Sequence, residues 1–147
     1  MTIIKPLFFS ISLLMITLSL SAQKKVAIKD SGIANKTIVV STFGTRDYTI
    51  LFTNDKNITT LSIGFTGTKL DADYVLTNRF EEETIRVKNS GFGDVSFKIK
   101  DNGFADLILC IGCDSSPDVL IYLEDWGNLS QEEIIALVHQ EILEKVN

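Results

Sequence analysis

The sequence predicts an α+β domain, with a mainly antiparallel β-sheet or flattened sandwich and one C-terminal amphipathic helix packed on it. Two observations lead to this fold class. Between Val26 and Leu123, short runs of β-branched and aromatic residues alternate with polar residues and are separated by turn residues. A single helical pattern then follows, from Gln131 to about Val146. Short alternating runs separated by turn residues are typical of antiparallel strands.

Nine segments carry the strand pattern. Seven are clear, namely Thr37–Ser41, Tyr48–Thr53, Thr59–Phe65, Thr84–Lys88, Val95–Lys100, Phe104–Ile111 and Val119–Leu123, and two are weaker, Val26–Ile28 and Tyr74–Leu76. The turn Asp101-Asn102-Gly103 predicts a hairpin between the fifth and sixth clear segments, since Asn and Gly accept the positive φ of a tight turn. A second hairpin is predicted at residues 54–57.

The alternation of side chains predicts which faces are buried. Val95, Phe97 and Ile99 occupy every second position and alternate with polar residues, so their strand should have one buried and one solvent-exposed face. The apolar runs Leu107–Ile111 and Val119–Leu123 are continuous, which is typical of strands covered on both faces. We expect the C-terminal helix to cover these two strands.

The start of that helix is well marked. Ser130 and Glu133 form a capping-box pattern, and Leu129 is placed to pack against Ile134. On a helical wheel the apolar residues gather on one side: Ile134, Ile135, Val138, Ile142 and Val146. The pattern predicts an amphipathic helix packed on the sheet.

The first 22 residues have the features of a secretory signal. Lys5 precedes an uncharged run that ends at the small residues Ser21 and Ala22. A retained membrane anchor is the alternative, but the run is short and contains several serines. Residues 23–147 then form a single domain, without an internal repeat or linker. The sequence predicts a protein exported to the periplasm or secreted, with no stable membrane insertion after signal cleavage.

Charge limits the class of partner. The chain has 14 basic and 19 acidic residues and a net charge of −5. The basic residues occur singly or in pairs such as Lys24 and Lys25, without the clustering that nucleic-acid binding requires. The expected partner is a macromolecule of the cell envelope or exterior and not a nucleic acid; its identity and the oligomeric state do not follow from the sequence.

Cys110-Ile111-Gly112-Cys113 is the arrangement with the clearest chemical meaning. Two thiols at this spacing outside the cytoplasm can cycle between dithiol and disulfide. The pair follows a strand and not a helix start, and Asp114 would raise a thiol pKa rather than lower it. A disulfide also requires Gly112 to bend the chain. A structural role, as a small disulfide or a buried thiol, is therefore favoured over redox catalysis.

No pattern in the chain predicts a metal or a cofactor. A structural zinc site needs four ligands, and besides the two cysteines the chain has only His139. His139 lies at the edge of the helical apolar stripe and is expected to be a packed boundary residue. No Gly-x-Ser-x-Gly nucleophile elbow is present, so the sequence leans towards a protein that is not an enzyme.

Exposed aromatic residues can mark a binding face. Trp126, between the last strand and the helix, is the binding candidate, although packing under the helix start is the alternative. Phe43, Phe80 and Phe92 lie in other turn regions.

The sequence thus predicts a small exported non-catalytic binding or accessory module acting on another macromolecule, for example an inhibitor. The alternative is an extracytoplasmic thiol-disulfide protein that uses Cys110 and Cys113.

Overall fold

The computed structural model describes residues 23–78 and 83–147. The predicted signal segment and Phe80 lie outside the described residues. Nine strands are present: β1 Lys24–Lys29, β2 Lys36–Ser41, β3 Tyr48–Thr53, β4 Leu61–Phe65, β5 Tyr74–Leu76, β6 Glu83–Lys88, β7 Val95–Lys100, β8 Leu107–Ile111 and β9 Val119–Leu123. Two single 3-10 turns lie at Lys56–Ile58 and Lys69–Asp71. Each strand falls on a segment that the sequence predicts.

The direction of the strands differs from the prediction. All pairs are parallel, and the strands close into a barrel in the order β1-β5-β9-β4-β8-β3-β7-β2-β6. The predicted antiparallel sheet or sandwich is therefore wrong. The two predicted hairpins are also wrong, since β3 lies between β7 and β8, and β8 lies between β3 and β4.

The stagger of the strands explains how short connections join parallel neighbours. Ile28 near the end of β1 and Lys36 at the start of β2 are both register partners of Ile85 in β6. The connection therefore needs to cross only one intervening strand, a span of roughly 10 Å. It does not return along the length of a strand, which is why a crossover of a dozen residues is not needed. The same relation holds for the strand pairs that follow along the chain.

The connections cross on the outside of the barrel. Pro117, in the connection from β8 to β9, lies against Gly64 on β4, the strand between them. A β-carbon at position 64 would lie 2.7 Å from Pro117 Cγ, so only glycine leaves room for this crossing. The connections, and not the helix, cover the outer faces of β8 and β9, whose outward residues such as Ile108 and Leu120 are half-buried.

The crossings give the barrel a structural repeat, although no internal repeat was predicted from the sequence. The side chain of a polar residue directly before one strand accepts a hydrogen bond from the backbone N–H of the second residue of a neighbouring strand. The acceptor and donor pairs are Asn35–Thr84, Asp47–Ser96, Asp73–Leu120, Asp94–Thr37, Asp106–Thr49 and Asp118–Ser62. In four connections a glycine with positive φ lies three positions before that residue: Gly32, Gly44, Gly91 and Gly103. The repeat is one of position and hydrogen bonding, with little identity between units.

The C-terminal helical segment lies inside the barrel. It comprises α1 Gln131–Leu137 and α2 His139–Val146, joined at Val138, and the predicted capping box of Ser130 and Glu133 is present. Six consecutive residues, 134–139, are buried, which requires cover on all sides. The helix α1 contacts β1, β2 and β6, whereas α2 contacts β8 on the opposite side of the ring. The helix is therefore the core of the barrel and does not lie on an outer sheet face as predicted.

In the ranges that the structure describes, no helix is long and apolar enough to cross a membrane.

Candidate functional site

Cys110 and Cys113 form a disulfide, with their Cα atoms 6.0 Å apart. Gly112 bends the chain between them with a φ of +72°, as the sequence requires for this bond. Cys110 points outward from β8 yet is fully buried, because the connection from β3 to β4 crosses this strand and places Thr59 near Cys113. The bond thus lies between a strand and its covering segment, where it can fix the connection into β9.

His139 is buried within the barrel, as a packed residue. Its Nδ1 donates to the carbonyl oxygen of Ala136 at 2.7 Å, and its Nε2 lies 3.4 Å from Nζ of Lys36, which donates to it. Burial lowers the pKa of His139, and the nearby Lys36 ammonium lowers it further. Both ring nitrogens are engaged, so His139 is neutral and is not presented to a substrate.

A polar network near His139 was not predicted from the sequence. The buried Tyr74 hydroxyl donates to the Glu141 carboxylate, and Lys24 Nζ lies 3.2 Å from that hydroxyl and 2.7 Å from Gln140 Oε1. Burial and the Glu141 carboxylate raise the pKa of Tyr74 far above its usual range. Since the partners are distant in sequence, no local motif marks them. The network holds the helix to the starts of β1 and β5.

Trp126 is half-buried and packs against the core. Close to it in sequence, a cleft of about 520 Å³ is lined by Phe65, Ile111, Leu123, Asn128, Leu129, Gln131 and Ile134. None of these lining residues is titratable. The cleft therefore offers apolar surface but no acid or base.

The residues singled out in the sequence do not form one site. The disulfide lies on the outer wall, His139 lies inside the barrel, and Trp126 follows the end of β9. Among residues 23–78 and 83–147, no group of three or more His, Cys, Asp or Glu side chains is placed to hold a metal ion.

The most exposed apolar residues lie on the connections between strands. We call five of them the apolar arc: Ile33, Phe43, Ile58, Phe92 and Phe104, which are 92%, 57%, 52%, 96% and 97% exposed. Phe43 and Phe92 belong to the aromatic residues noted in the sequence. Ile33 and Ile58 were missed because an isolated apolar residue in a loop carries no periodic signal. Phe104 was assigned to the start of the strand Phe104–Ile111, which in the structure begins only at Leu107.

The topology places these five residues on adjacent connections. The connections 54–60, 101–106, 42–47, 89–94 and 30–35 cross β8, β3, β7, β2 and β6, which are consecutive in the ring. A direct contact joins two of the connections, because Arg46 Nη1 donates to the carbonyl oxygen of Gly91 at 3.3 Å. The apolar arc therefore extends over five consecutive strands of the nine-strand ring and is the candidate functional site.

Comparisons with protein-family models, with curated proteins and with solved structures find no match to this chain.

Proposed function

We propose that this chain is a small exported, non-catalytic module that binds a larger component of the cell envelope or exterior through the apolar arc. The observation that carries this proposal is the exposure of Ile33, Phe92 and Phe104, each more than nine-tenths exposed. Their connections cross strands that lie close together in the ring, so they offer several apolar side chains on one wall, and exposed apolar surface of this kind is typical of interaction sites.

The scaffold supports this function. The arc lies on short connections held by the repeated Asp, Asn and backbone contacts across neighbouring strands. The barrel interior is occupied by the chain's own helix, with Ile135, Val138 and Ile142 fully buried there. A rigid frame reduces the entropy lost when exposed side chains are ordered on binding.

The thiol-disulfide alternative receives weak support from the bond between Cys110 and Cys113. A redox-active pair needs an accessible sulfur and a stabilised thiolate. Cys110 is buried under a crossing connection, and Asp114 follows Cys113 directly. This environment favours a structural bond.

The test uses the purified protein and envelope fractions of its native host in a co-sedimentation assay. The variant Ile33→Ser/Phe92→Ser/Phe104→Ser removes three apolar side chains that make little contact with the core. We expect it to lose binding by at least tenfold relative to the unmodified protein. Leu70→Ser is the matched control, because Leu70 is 92% exposed on the connection that crosses β9, outside the arc.

The proposal is wrong if the unmodified protein does not sediment, or if the triple variant sediments equally well. A binding loss in Cys110→Ser/Cys113→Ser, with the fold retained, would move the thiol-disulfide alternative to first place.

A further inference from the structure

The barrel assembles a basic face that the sequence does not show. Six Lys and Arg residues lie at outward positions of three strands: Lys25 and Lys29 in β1, Arg86 and Lys88 in β6, and Lys98 and Lys100 in β7. Along the chain they are scattered pairs. In the ring, β1 and β6 are neighbours and only β2 separates β6 from β7, so the pairs come together on one side.

This basic face coincides with the apolar arc. Lys29 Nζ lies 3.4 Å from the carbonyl oxygen of Ile33, and Lys100 Nζ donates to the carbonyl oxygen of Phe104. Lys88 Nζ lies 3.4 Å from where a β-carbon of Gly91 would stand, next to Phe92 in the chain. Each of the three most exposed arc residues therefore has an ammonium group at the base of its connection.

Arg86 adds a guanidinium charge to this face. It is the register partner of Lys29 in β1 and of Thr37 in β2. Its Nε is buried and has no hydrogen-bond partner among the described residues. The positive charge of the guanidinium, and not this buried atom, contributes to the basic face, because an atom shielded from solvent cannot reach a phosphate oxygen.

The acidic residues within the arc are partly engaged by the protein itself. The carboxylates of Asp47, Asp94 and Asp106 accept backbone N–H groups of neighbouring strands. Elsewhere, Asp114, Asp118, Glu124 and Asp125 lie in the chain before and after β9, towards the other side of the ring. The connections of the arc also carry Asp30, Asp55 and Asp101, as well as Arg46 and Lys56. This side of the barrel therefore has eight basic residues and six aspartates, a small positive excess in a chain with a net charge of −5.

We propose that the part of the apolar arc with Ile33, Phe92 and Phe104, together with the basic face beside it, docks on the surface of an anionic lipid bilayer. This inference rests on the proposed binding function and names its partner. Phe and Ile side chains enter the boundary between headgroups and acyl chains, while Lys and Arg remain at the phosphate level. Each basic residue near an anionic surface contributes about 1 kcal/mol of attraction, or roughly fivefold in affinity. Ile33 argues against a nucleic-acid partner, since an aliphatic side chain offers no ring on which a base can stack.

The experiment measures co-sedimentation of the purified protein with protein-free vesicles. One set contains equal parts of phosphatidylglycerol and phosphatidylcholine, and the other contains phosphatidylcholine alone. We expect binding to the anionic vesicles only, with affinity falling as salt is raised. Phe92→Ser/Phe104→Ser should weaken binding by about tenfold per residue, from the lost apolar transfer.

Charge variants separate the two contributions. Lys88→Gln/Lys98→Gln should weaken binding by about fivefold per residue and flatten its salt dependence. Leu70→Ser and Lys145→Gln are the controls, because both residues are exposed outside the arc, and both should bind like the unmodified protein.

The inference is wrong if the unmodified protein does not bind anionic vesicles, or if Phe92→Ser/Phe104→Ser binds them as well as the unmodified protein does. It is also wrong if a soluble polyanion displaces the protein from the vesicles while the Phe substitutions leave its affinity unchanged. This last result would indicate a polyanionic macromolecule as the partner. A different outcome would separate this inference from the proposed function. If the protein does not bind anionic vesicles but the triple variant still loses binding to host envelope fractions, the proposed function is supported and the lipid partner is excluded.

Discussion

Pro117 packs on Gly64 so closely that the pyrrolidine ring occupies the place of a side chain on β4, with 2.7 Å between Pro117 Cγ and an ideal β-carbon at position 64. This contact marks a point where one connection crosses the strand beneath it. It shows that the crossings are close-packed, and that the identity of a single residue decides whether one can form.

Gly64→Ala should destabilise the protein by about 1 to 3 kcal/mol, because the new methyl group overlaps Pro117. The free energy of unfolding from denaturant titration measures the effect. Gly67→Ala is the matched control, since no atom lies within 4 Å of a β-carbon there, and it should change stability little. In a Pro117→Ala background, Gly64→Ala should lower the free energy of unfolding by less. If the loss is unchanged there, the overlap with Pro117 is not the cause of the destabilisation.

Tyr74→Phe should lower the free energy of unfolding by about 1 to 3 kcal/mol, because it removes a buried donor to the Glu141 carboxylate. Tyr122→Phe serves as the control, since Tyr122 is half-buried and points outward from β9. Equal effects at the two positions would mean that the hydroxyl of Tyr74 does not help to hold the helix.

Acidification should destabilise the fold through His139. Burial lowers the pKa of His139 in the folded protein, despite the opposing carboxylates of Glu83 and Glu141. The unfolded chain therefore binds a proton first, and stability should fall as the pH drops below about 6.5, by at most about 1.4 kcal/mol per pH unit.

Thermal unfolding between pH 7 and pH 5 tests this dependence against His139→Gln, in which the slope should flatten. Asp114 titrates in a lower range, because the Ser116 N–H and Lys56 hold the pKa of its carboxyl below the usual value. A slope that survives in His139→Gln would assign the dependence to another group.

Asp118→Ala should destabilise the protein by about 1 to 3 kcal/mol, because the carboxylate accepts from both the backbone N–H and the hydroxyl of the buried Ser62. Asp118→Asn keeps one acceptor oxygen and should have a smaller effect. Unfolding titrations compare both variants with the unmodified protein. If both variants are as stable as the unmodified protein, the repeated hydrogen bond contributes little to the stability of the barrel.

The local structure of this protein follows from residue type and short-range pattern. Alternation of apolar and polar residues located all nine strands, and Tyr48–Thr53, Val95–Lys100 and Val119–Leu123 were predicted to the residue. The capping box at Ser130 and the bend at Gly112 also followed from residue type alone. These features depend on contacts within a few positions of the chain, which a sequence pattern records directly.

The strand direction, the place of the helix and the composition of the candidate surface depend on long-range contacts, which no local pattern records. Short connections are compatible with antiparallel hairpins and with staggered parallel strands, and the stagger, in which Ile28 and Lys36 share Ile85, is a relation between distant segments. The same topology brings Lys29, Arg86 and Lys98 to one side of the barrel. Such neighbours are set by ring order, because residues far apart in the chain interact only after the barrel has closed.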